Sequence, residues 1–171
     1  MNLKEHIRTV PDFPKEGILF YDIGTLLAHG PAWKETVERM TALIEPDKPD
    51  LLFAIESRGF LVAAPIAARL GIGMVMIRKK GKLPGATCSY HYDLEYGSDT
   101  IEIQDGIFPK GSRGVLVDDL LATGGTAHAA HHLATEAGAT ITSAAFVIEL
   151  PFLGGRNKVS MPIHTLLSYD E

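Results

Sequence analysis

Short, unbroken apolar runs alternate along this chain with segments of helical period, and that alternation confines the fold to a small set. Leu51 to Ile55 is apolar throughout and only as long as a buried strand. Met74 to Ile77 and Val115 to Val117 are runs of the same kind, and Ile141 to Leu150 is rich enough in apolar residues for a strand. Between them, Gly59 to Leu70 reads as a helix stopped by Gly71, and residues 125–137 read as a helix stopped by Gly138. Upstream, Pro31 suits a first helical position, and Trp33, Val37, Met40 and Ile44 recur at spacings of three and four before Pro46. Strands alternating with helices predict right-handed βαβ units: an α/β chain with a parallel sheet flanked by helices on both faces.

The remaining segments fit around that core. Leu3, Ile7 and Val10 are spaced for a short amphipathic helix over residues 3–10, ended by Pro11-Asp12-Phe13-Pro14. Lys79 to Gly85 is basic and glycine-rich. Thr87 to Glu102 is aromatic and β-branched, broken by Gly97-Ser98-Asp99, and predicts a mobile β-hairpin. At 171 residues, without repeat, low-complexity tract or linker, the chain is expected to form a single domain, residues 1–171.

Charge and composition exclude several classes of function. A net charge of −5 argues against a broad nucleic-acid-binding face, which needs clustered Lys and Arg. The longest nearly apolar stretch, Leu61 to Ala68, is interrupted by Pro65 and falls well short of the roughly 18 residues of a membrane span, so no membrane role is expected. The one cysteine, Cys88, cannot form an internal disulfide, and the N-terminus has no signal-peptide pattern, which together predict a cytoplasmic protein.

The segment richest in chemistry is Val115-Leu116-Val117-Asp118-Asp119-Leu120-Leu121-Ala122-Thr123-Gly124-Gly125-Thr126, directly before the 125–137 helix. In an open α/β sheet, ligands sit outside the carboxyl ends of the strands, so two acids there face a crevice. Adjacent carboxylates can accept hydrogen bonds from a ribose diol. The Thr-Gly-Gly-Thr turn lets backbone N–H groups approach an anion at a helix N-terminus, with threonine hydroxyls as further donors. The ending Gly125-Thr126 lacks the Gly-Lys-Ser/Thr of a P-loop, which removes the nucleoside-triphosphatase reading.

As a whole this segment resembles the signature of type I phosphoribosyltransferases, which bind phosphoribosyl pyrophosphate (PRPP). Four more stretches, in the same order as in the family, narrow the resemblance to the adenine phosphoribosyltransferases. They are Phe13-Pro14-Lys15-Glu16-Gly17-Ile18-Leu19-Phe20, Glu56-Ser57-Arg58-Gly59-Phe60, Arg78-Lys79-Lys80-Gly81-Lys82-Leu83-Pro84-Gly85 and Leu94-Glu95-Tyr96-Gly97. The likeness runs from about residue 11 to the C-terminus. It implies the type I phosphoribosyltransferase fold, with a small hood from about residues 1–30 and the C-terminal region, and a mobile loop over about 79–102.

Carried onto matching positions, the resemblance assigns Asp118 and Asp119 to the ribose hydroxyls and Ala122, Thr123, Gly124, Gly125 and Thr126 to the 5′-phosphate. Ser57, Arg58 and Gly59 match the pyrophosphate loop, where family structures often hold a cis peptide. Arg58, Arg78, Lys79 and Lys82 then face the most charged part of PRPP, with Arg58 and Lys79 also catalytic. Mg²⁺ is implied as cofactor, carried by PRPP near Asp118 and Asp119 and not held by protein groups alone. Glu95 matches the catalytic-loop glutamate, either stabilising positive charge on the ribose or managing a proton on the base. Tyr96 beside it matches a closing residue.

Leu19, Phe20 and Tyr21 match the segment that meets the purine, and Leu150 an apolar residue on its other side. Tyr21 stands where the family usually has Arg, and Gly24 where Ser or Thr is usual. The implied reaction is adenine plus PRPP giving AMP plus pyrophosphate, in purine salvage, by a homodimer. Transfer to hypoxanthine or guanine, and a PRPP-sensing regulator without turnover, are the alternatives. Two features fall outside this assignment. His128, His131, His132 and Glu136 share one side of their helix, opposite Ala127, Ala130, Ala134 and Ala137, and read as a solvated or interface face. Cys88 has no acid–base partner in the sequence and is given no catalytic role.

Overall fold

The computed structural model describes residues 1–94 and 96–171. Contacts divide the chain into two units, Met1–Arg39 and Met40–Glu171. In the first unit, strand β1 (Arg8–Val10) pairs antiparallel with β2 (Phe20–Asp22), Thr9 opposite Tyr21. The helix expected over residues 3–10 is therefore cut short. Only Leu3–His6 forms a turn, of 3₁₀ type, because β-branched Thr9 and Val10 gain a strand partner that outweighs a periodicity carried by three residues. The connection between β1 and β2 folds on itself. Asp12 Oδ1 accepts from Gly17 N–H at 2.8 Å, the Phe13–Pro14 peptide is cis, and the Phe13 ring meets Phe20 edge-on at 5.0 Å. Helix α1 (Gly24–Ala28) follows, and α2 (Gly30–Ile44) spans the boundary in sequence between the units.

The second unit is built on strands β3 (Leu51–Ile55), β4 (Gly73–Lys79), β5 (Thr87–Asp93), β6 (Ser98–Gln104), β7 (Arg113–Leu121), β8 (Thr140–Glu149) and β9 (Ile163–Ser168), in the spatial order β5-β6-β4-β3-β7-β8-β9. The five strands from β4 to β9 run parallel, as expected. The hairpin β5–β6 joins their edge antiparallel, through Arg78 opposite Glu102 and Lys79 opposite Ile101. Helix α3 (Arg58–Leu70) crosses from β3 to β4 and ends at Gly71, whose φ of 68° favours the residue without a side chain. Helix α4 (Gly125–Glu136) crosses from β7 to β8.

Alternation along the strands makes the core. Phe53 and Ile55 of β3, Val75 and Ile77 of β4, and Leu116 of β7 pack with Ala127, Ala130, Leu133 and Ala134 of α4. Leu52, Ala54, Val115 and Val117 are equally buried on the alternate positions, and α3 contributes Val62, Ala63, Ile66 and Ala67. The small side chains of α4 allow it to lie close to the sheet. Strand β7 is longer than its apolar run suggests: its ladder with β8 continues through Asp118 opposite Phe146 to Leu121 opposite Glu149. Asp118 and Asp119 thus lie within the strand and not beyond it.

Candidate active site

From β3 the chain leaves through α3 to β4 on one side, while β7 lies on the other and sends α4 onward to β8. That reversal of direction opens a crevice at the carboxyl ends of β3 and β7, the place where open α/β sheets hold ligands. A cleft of about 450 Å³ lies there, lined by Glu56, Ser57, Arg58, Lys79, Lys82, Asp118, Asp119, Leu120 and Thr126. A smaller adjoining recess of about 100 Å³ is lined by Asp118, Leu120 to Ala127 and Phe146.

Two loops meet in this crevice. After β3 the Glu56–Ser57 peptide is cis, in the loop where the family resemblance places a cis peptide, and α3 begins at Arg58. The Arg58 guanidinium donates from Nε to Asp119 Oδ2 at 2.5 Å, joining the loop to β7. Gly59 makes the approach possible: a Cβ there would lie 2.9 Å from Val117 O and 3.0 Å from Asp118 Oδ1. After β7, Gly124 takes a φ of 85° and starts α4, so the turn from Ala122 presents main-chain groups to the recess.

The electrostatics are those of an anion site with controlled acids. Asp118 Oδ1 accepts from Asp119 N–H at 2.8 Å. Burial, and then the neighbouring charge of Asp119, push the Asp118 carboxyl well above the usual carboxylate range. Glu56 accepts from Lys82 Nζ at 2.7 Å and Lys79 N–H at 3.2 Å, with Arg78 Nε at 3.5 Å. Burial alone would raise its carboxyl, but those hydrogen bonds and positive charges outweigh it and hold the group below its ordinary value. Lys79 Nζ lies 3.5 Å from Asp99 Oδ2 of the hairpin.

A third hollow, of about 260 Å³, lies under the hairpin between Glu56, Arg78, Lys79, Tyr92, Leu94, Asp99 and Thr126. Arg78 carries its guanidinium over the Phe60 ring, 5.7 Å from the centroid. The Tyr92 phenol is pushed up chiefly by burial, against a hydrogen bond with Thr126.

Most of the residues singled out in the sequence therefore converge. Ser57, Arg58, Lys79, Lys82, Asp118, Asp119 and Thr126 line the main cleft, Ala122 to Thr126 form the recess, Gly59 abuts Asp118, and Arg78 lies in the third hollow. Tyr96 is 80% exposed, outside these walls. Glu95 lies outside the described residues. Leu19, Phe20 and Tyr21 belong to the first unit, Phe20 and Tyr21 in β2 with Tyr21 buried. Leu150 follows β8 in the second unit, buried, its N–H donating to Leu121 O at 3.0 Å. Sequence reasoning missed Glu56 and Tyr92. Glu56 had a signal, a carboxylate inside the Glu56-Ser57-Arg58-Gly59-Phe60 stretch beside a basic loop; Tyr92 had only its alternation with Tyr90 in β5.

Residues 25–161 match the phosphoribosyl transferase domain family. The adenine phosphoribosyltransferase of Rhodospirillum centenum is 61% identical over 170 residues, covering 99% of each chain. The chain belongs to the adenine phosphoribosyltransferases. Solved adenine phosphoribosyltransferases share the fold at similar length. That of Thermoanaerobacter pseudethanolicus superposes with a TM-score of 0.94 at 46% identity, covering 98% of each chain. That of Saccharomyces cerevisiae, complexed with an imino-altritol bisphosphate and adenine, does so at 0.93 and 41%, covering 96% of each.

The features outside the expected site have ordinary roles. His132 pairs with Glu136 at 3.1 Å and packs tilted against the Tyr90 ring at 4.1 Å, while His128 Nδ1 meets Lys158 O at 3.1 Å, so the hairpin and the C-terminal region cover part of the histidine face. Cys88 lies 3.8 Å from Asp105 Oδ1, and burial and then the charge of Asp105 raise its thiol above the usual range, which disfavours the nucleophilic thiolate.

Proposed function

We propose that this phosphoribosyltransferase transfers the phosphoribosyl group of PRPP to adenine, giving AMP and pyrophosphate. The observation that carries the reading is the joining of three chemistries in one crevice: the Asp118–Asp119 pair, the Ala122–Thr126 turn and the cationic set Arg58, Lys79 and Lys82. These suit the ribose diol, the 5′-phosphate and the pyrophosphate of one molecule of PRPP. As the bond from the anomeric carbon to pyrophosphate breaks, positive charge grows on the ribose ring and negative charge on the leaving group. Arg58 and the two lysines stabilise the latter, and Glu95, assigned by the family resemblance, meets the former or takes the proton that the base loses.

Magnesium fits this site as an ion brought by the substrate: Glu56 is engaged by Lys82, Asp119 by Arg58, and burial holds Asp118 towards its neutral form, so phosphate oxygens would supply most of its ligands beside Asp118 and Asp119. When bound it supplies further neutralisation of the pyrophosphate charge. Closure of residues 79–102 over the cleft excludes water that competes for the sugar. We also take residues 1–171 as one functional domain whose hood, with Leu19, Phe20, Tyr21 and Leu150, reads the base, and the active species as a cytoplasmic homodimer. Family resemblance supports the dimer; the unpaired thiol of Cys88 supports the compartment, and among the described residues no helix is long and apolar enough to cross a membrane.

Adenine is the expected base. It presents an amino donor at C6, whereas hypoxanthine and guanine present an oxygen acceptor, and a main-chain carbonyl of Leu19 to Tyr21 accepts only from the former. Val147 to Phe152 contains no lysine to favour a 6-oxopurine. Specificity constants for the three bases at saturating PRPP and Mg²⁺ test the proposal, with adenine preferred by up to roughly 10⁴. A value for hypoxanthine or guanine equal to that of adenine overturns the base assignment, and absence of AMP formation with PRPP still bound favours a sensor.

A further inference from the structure

The turn Ala122–Gly124 is backed by a short segment that follows β8, and the two meet backbone to backbone. A Cβ on Gly155 would lie 2.5 Å from Ala122 O, and a Cβ on Gly124 would lie 2.5 Å from Gly155 O. Neither glycine leaves room for a side chain, so a shift of Gly155 is transmitted directly to the turn. Lys158 O, three residues on, meets His128 Nδ1 in the first turn of α4 at 3.1 Å. The backing segment therefore touches both the turn and the helix that starts from it.

What fastens this segment is one half-buried ion pair. Glu149, the last residue of β8, has a side chain only 7% exposed and accepts from Arg156 Nε at 2.6 Å and Arg156 Nη2 at 2.8 Å. Thr165 of β9 donates its hydroxyl to Glu149 at 3.1 Å, and Arg156 Nη1 reaches Ile163 O at 3.4 Å. The hydrogen bonds from Arg156 outweigh burial and keep the Glu149 carboxyl below its ordinary value, so both partners are charged where they meet. Arg156 directly follows Gly155. A two-pronged guanidinium contact fixes the orientation of its own backbone in a way that a single ammonium contact does not. Yet neither Glu149 nor Arg156 lines the cleft or the recess.

We propose that Glu149 and Arg156 are positioning residues for the 5′-phosphate, clamping Gly155 against Ala122–Gly124 and so fixing the main-chain donors of that turn. The proposal rests on reading the turn as the 5′-phosphate site. A pair that merely ties β8 to β9 would affect stability alone, or all ligands alike, whereas a clamp on this turn acts on one end of PRPP. Glu149→Gln keeps the shape and removes the charge; Arg156→Lys keeps the charge and removes the fork, at a side chain that is 50% exposed and tolerant of change.

The experiment is calorimetric titration of the full-length wild type and each variant with ribose 5-phosphate and, separately, with pyrophosphate, Mg²⁺ present throughout. Ribose 5-phosphate affinity is expected to fall about tenfold or more, the loss of roughly one charge-assisted hydrogen bond from the turn, while pyrophosphate affinity stays within about twofold. In steady state, KM for PRPP rises by more than kcat falls. Unchanged ribose 5-phosphate affinity in a folded variant overturns the proposal, as does an equal loss for both ligands. If Glu149→Gln does not fold, Arg156→Lys carries the same comparison. Failure of the wild type to bind ribose 5-phosphate instead overturns the site reading itself, and the clamp with it.

Discussion

Replacing Gly59 with Ala inserts one methyl group where α3 meets β7 backbone to backbone in the crevice. The new Cβ would lie 2.9 Å from Val117 O, 3.0 Å from Asp118 Oδ1 and 3.3 Å from Asp118 Cα, two of the three atoms being backbone that cannot rotate away. Relief to an ordinary contact requires the start of α3 to retreat by about 0.5 Å. Overpacking of this kind costs about 1–3 kcal/mol. At about 2–4 °C per kcal/mol for a chain of this size, the melting temperature falls by roughly 2–12 °C. The retreat carries Ser57 and Arg58 with it, and stretches the 2.5 Å contact from Arg58 to Asp119. If 1 Å of misplacement costs about a hundredfold, half that distance costs about tenfold in kcat/KM for PRPP. Scanning calorimetry and initial-rate kinetics, varying PRPP at fixed adenine, measure both. Wild-type melting temperature together with wild-type kcat/KM would refute the close packing of α3 against β7 as a determinant of the site.

Two further outcomes follow from the acids. Asp118 has its carboxyl raised, so it favours folding fully below its unfolded pKa of about 3.9 and loses that advantage as pH rises through the higher folded value. Asp118→Asn should accordingly melt above the wild type at neutral pH, with the difference closing towards pH 4, while its KM for PRPP rises; an Asn variant less stable at neutral pH than at pH 4 relative to wild type contradicts the buried-acid reading. Glu95→Gln should lower turnover by about 10²–10³ with little change in KM for PRPP, since charge stabilisation matters most as the ribose becomes positive. Wild-type turnover, with chemistry rate-limiting, removes Glu95 from catalysis.

The parallel core was legible because buried strands and α3 announce themselves by apolar runs and by a glycine stop. Leu51–Ile55 and Arg58–Leu70 fall where their sequences place them, within a residue. β9 was not read at all: Ile163–Ser168 is a half-buried edge strand whose polar and apolar residues carry no clear period. The N-terminal helix failed for the opposite reason, a clear local period overruled by the distant partner β2. In the crevice, residues that must touch a ligand could be read as motifs, since their chemistry is local in sequence. Supports such as Glu149 with Arg156 and Thr165, or Glu102 taking hydrogen bonds from Gly81 N–H, Thr87 and Ser89, depend on how the chain returns and which strands become neighbours, and no local motif encodes that.

The hairpin β5–β6 is attached to the sheet over a short root, Arg78 opposite Glu102 and Lys79 opposite Ile101, extended by Lys80 N–H to Thr100 O at 3.0 Å. From Thr100, the last residue held at the root, to Gly97 in the far turn the chain runs three residues, an arm of roughly 10 Å. Strands lie about 4.8 Å apart, so sliding one past the other at the root by a little under 1 Å corresponds to a rotation of about 10°. Over a 10 Å arm that rotation would displace the far turn by roughly 1.7 Å. The root is thus a fulcrum made of the same residues, Arg78 and Lys79, whose side chains face the cleft and the hollow beneath the hairpin. Were the hairpin to swing on this root, a small movement of those two cations would become about twice as large at Leu94 and Gly97.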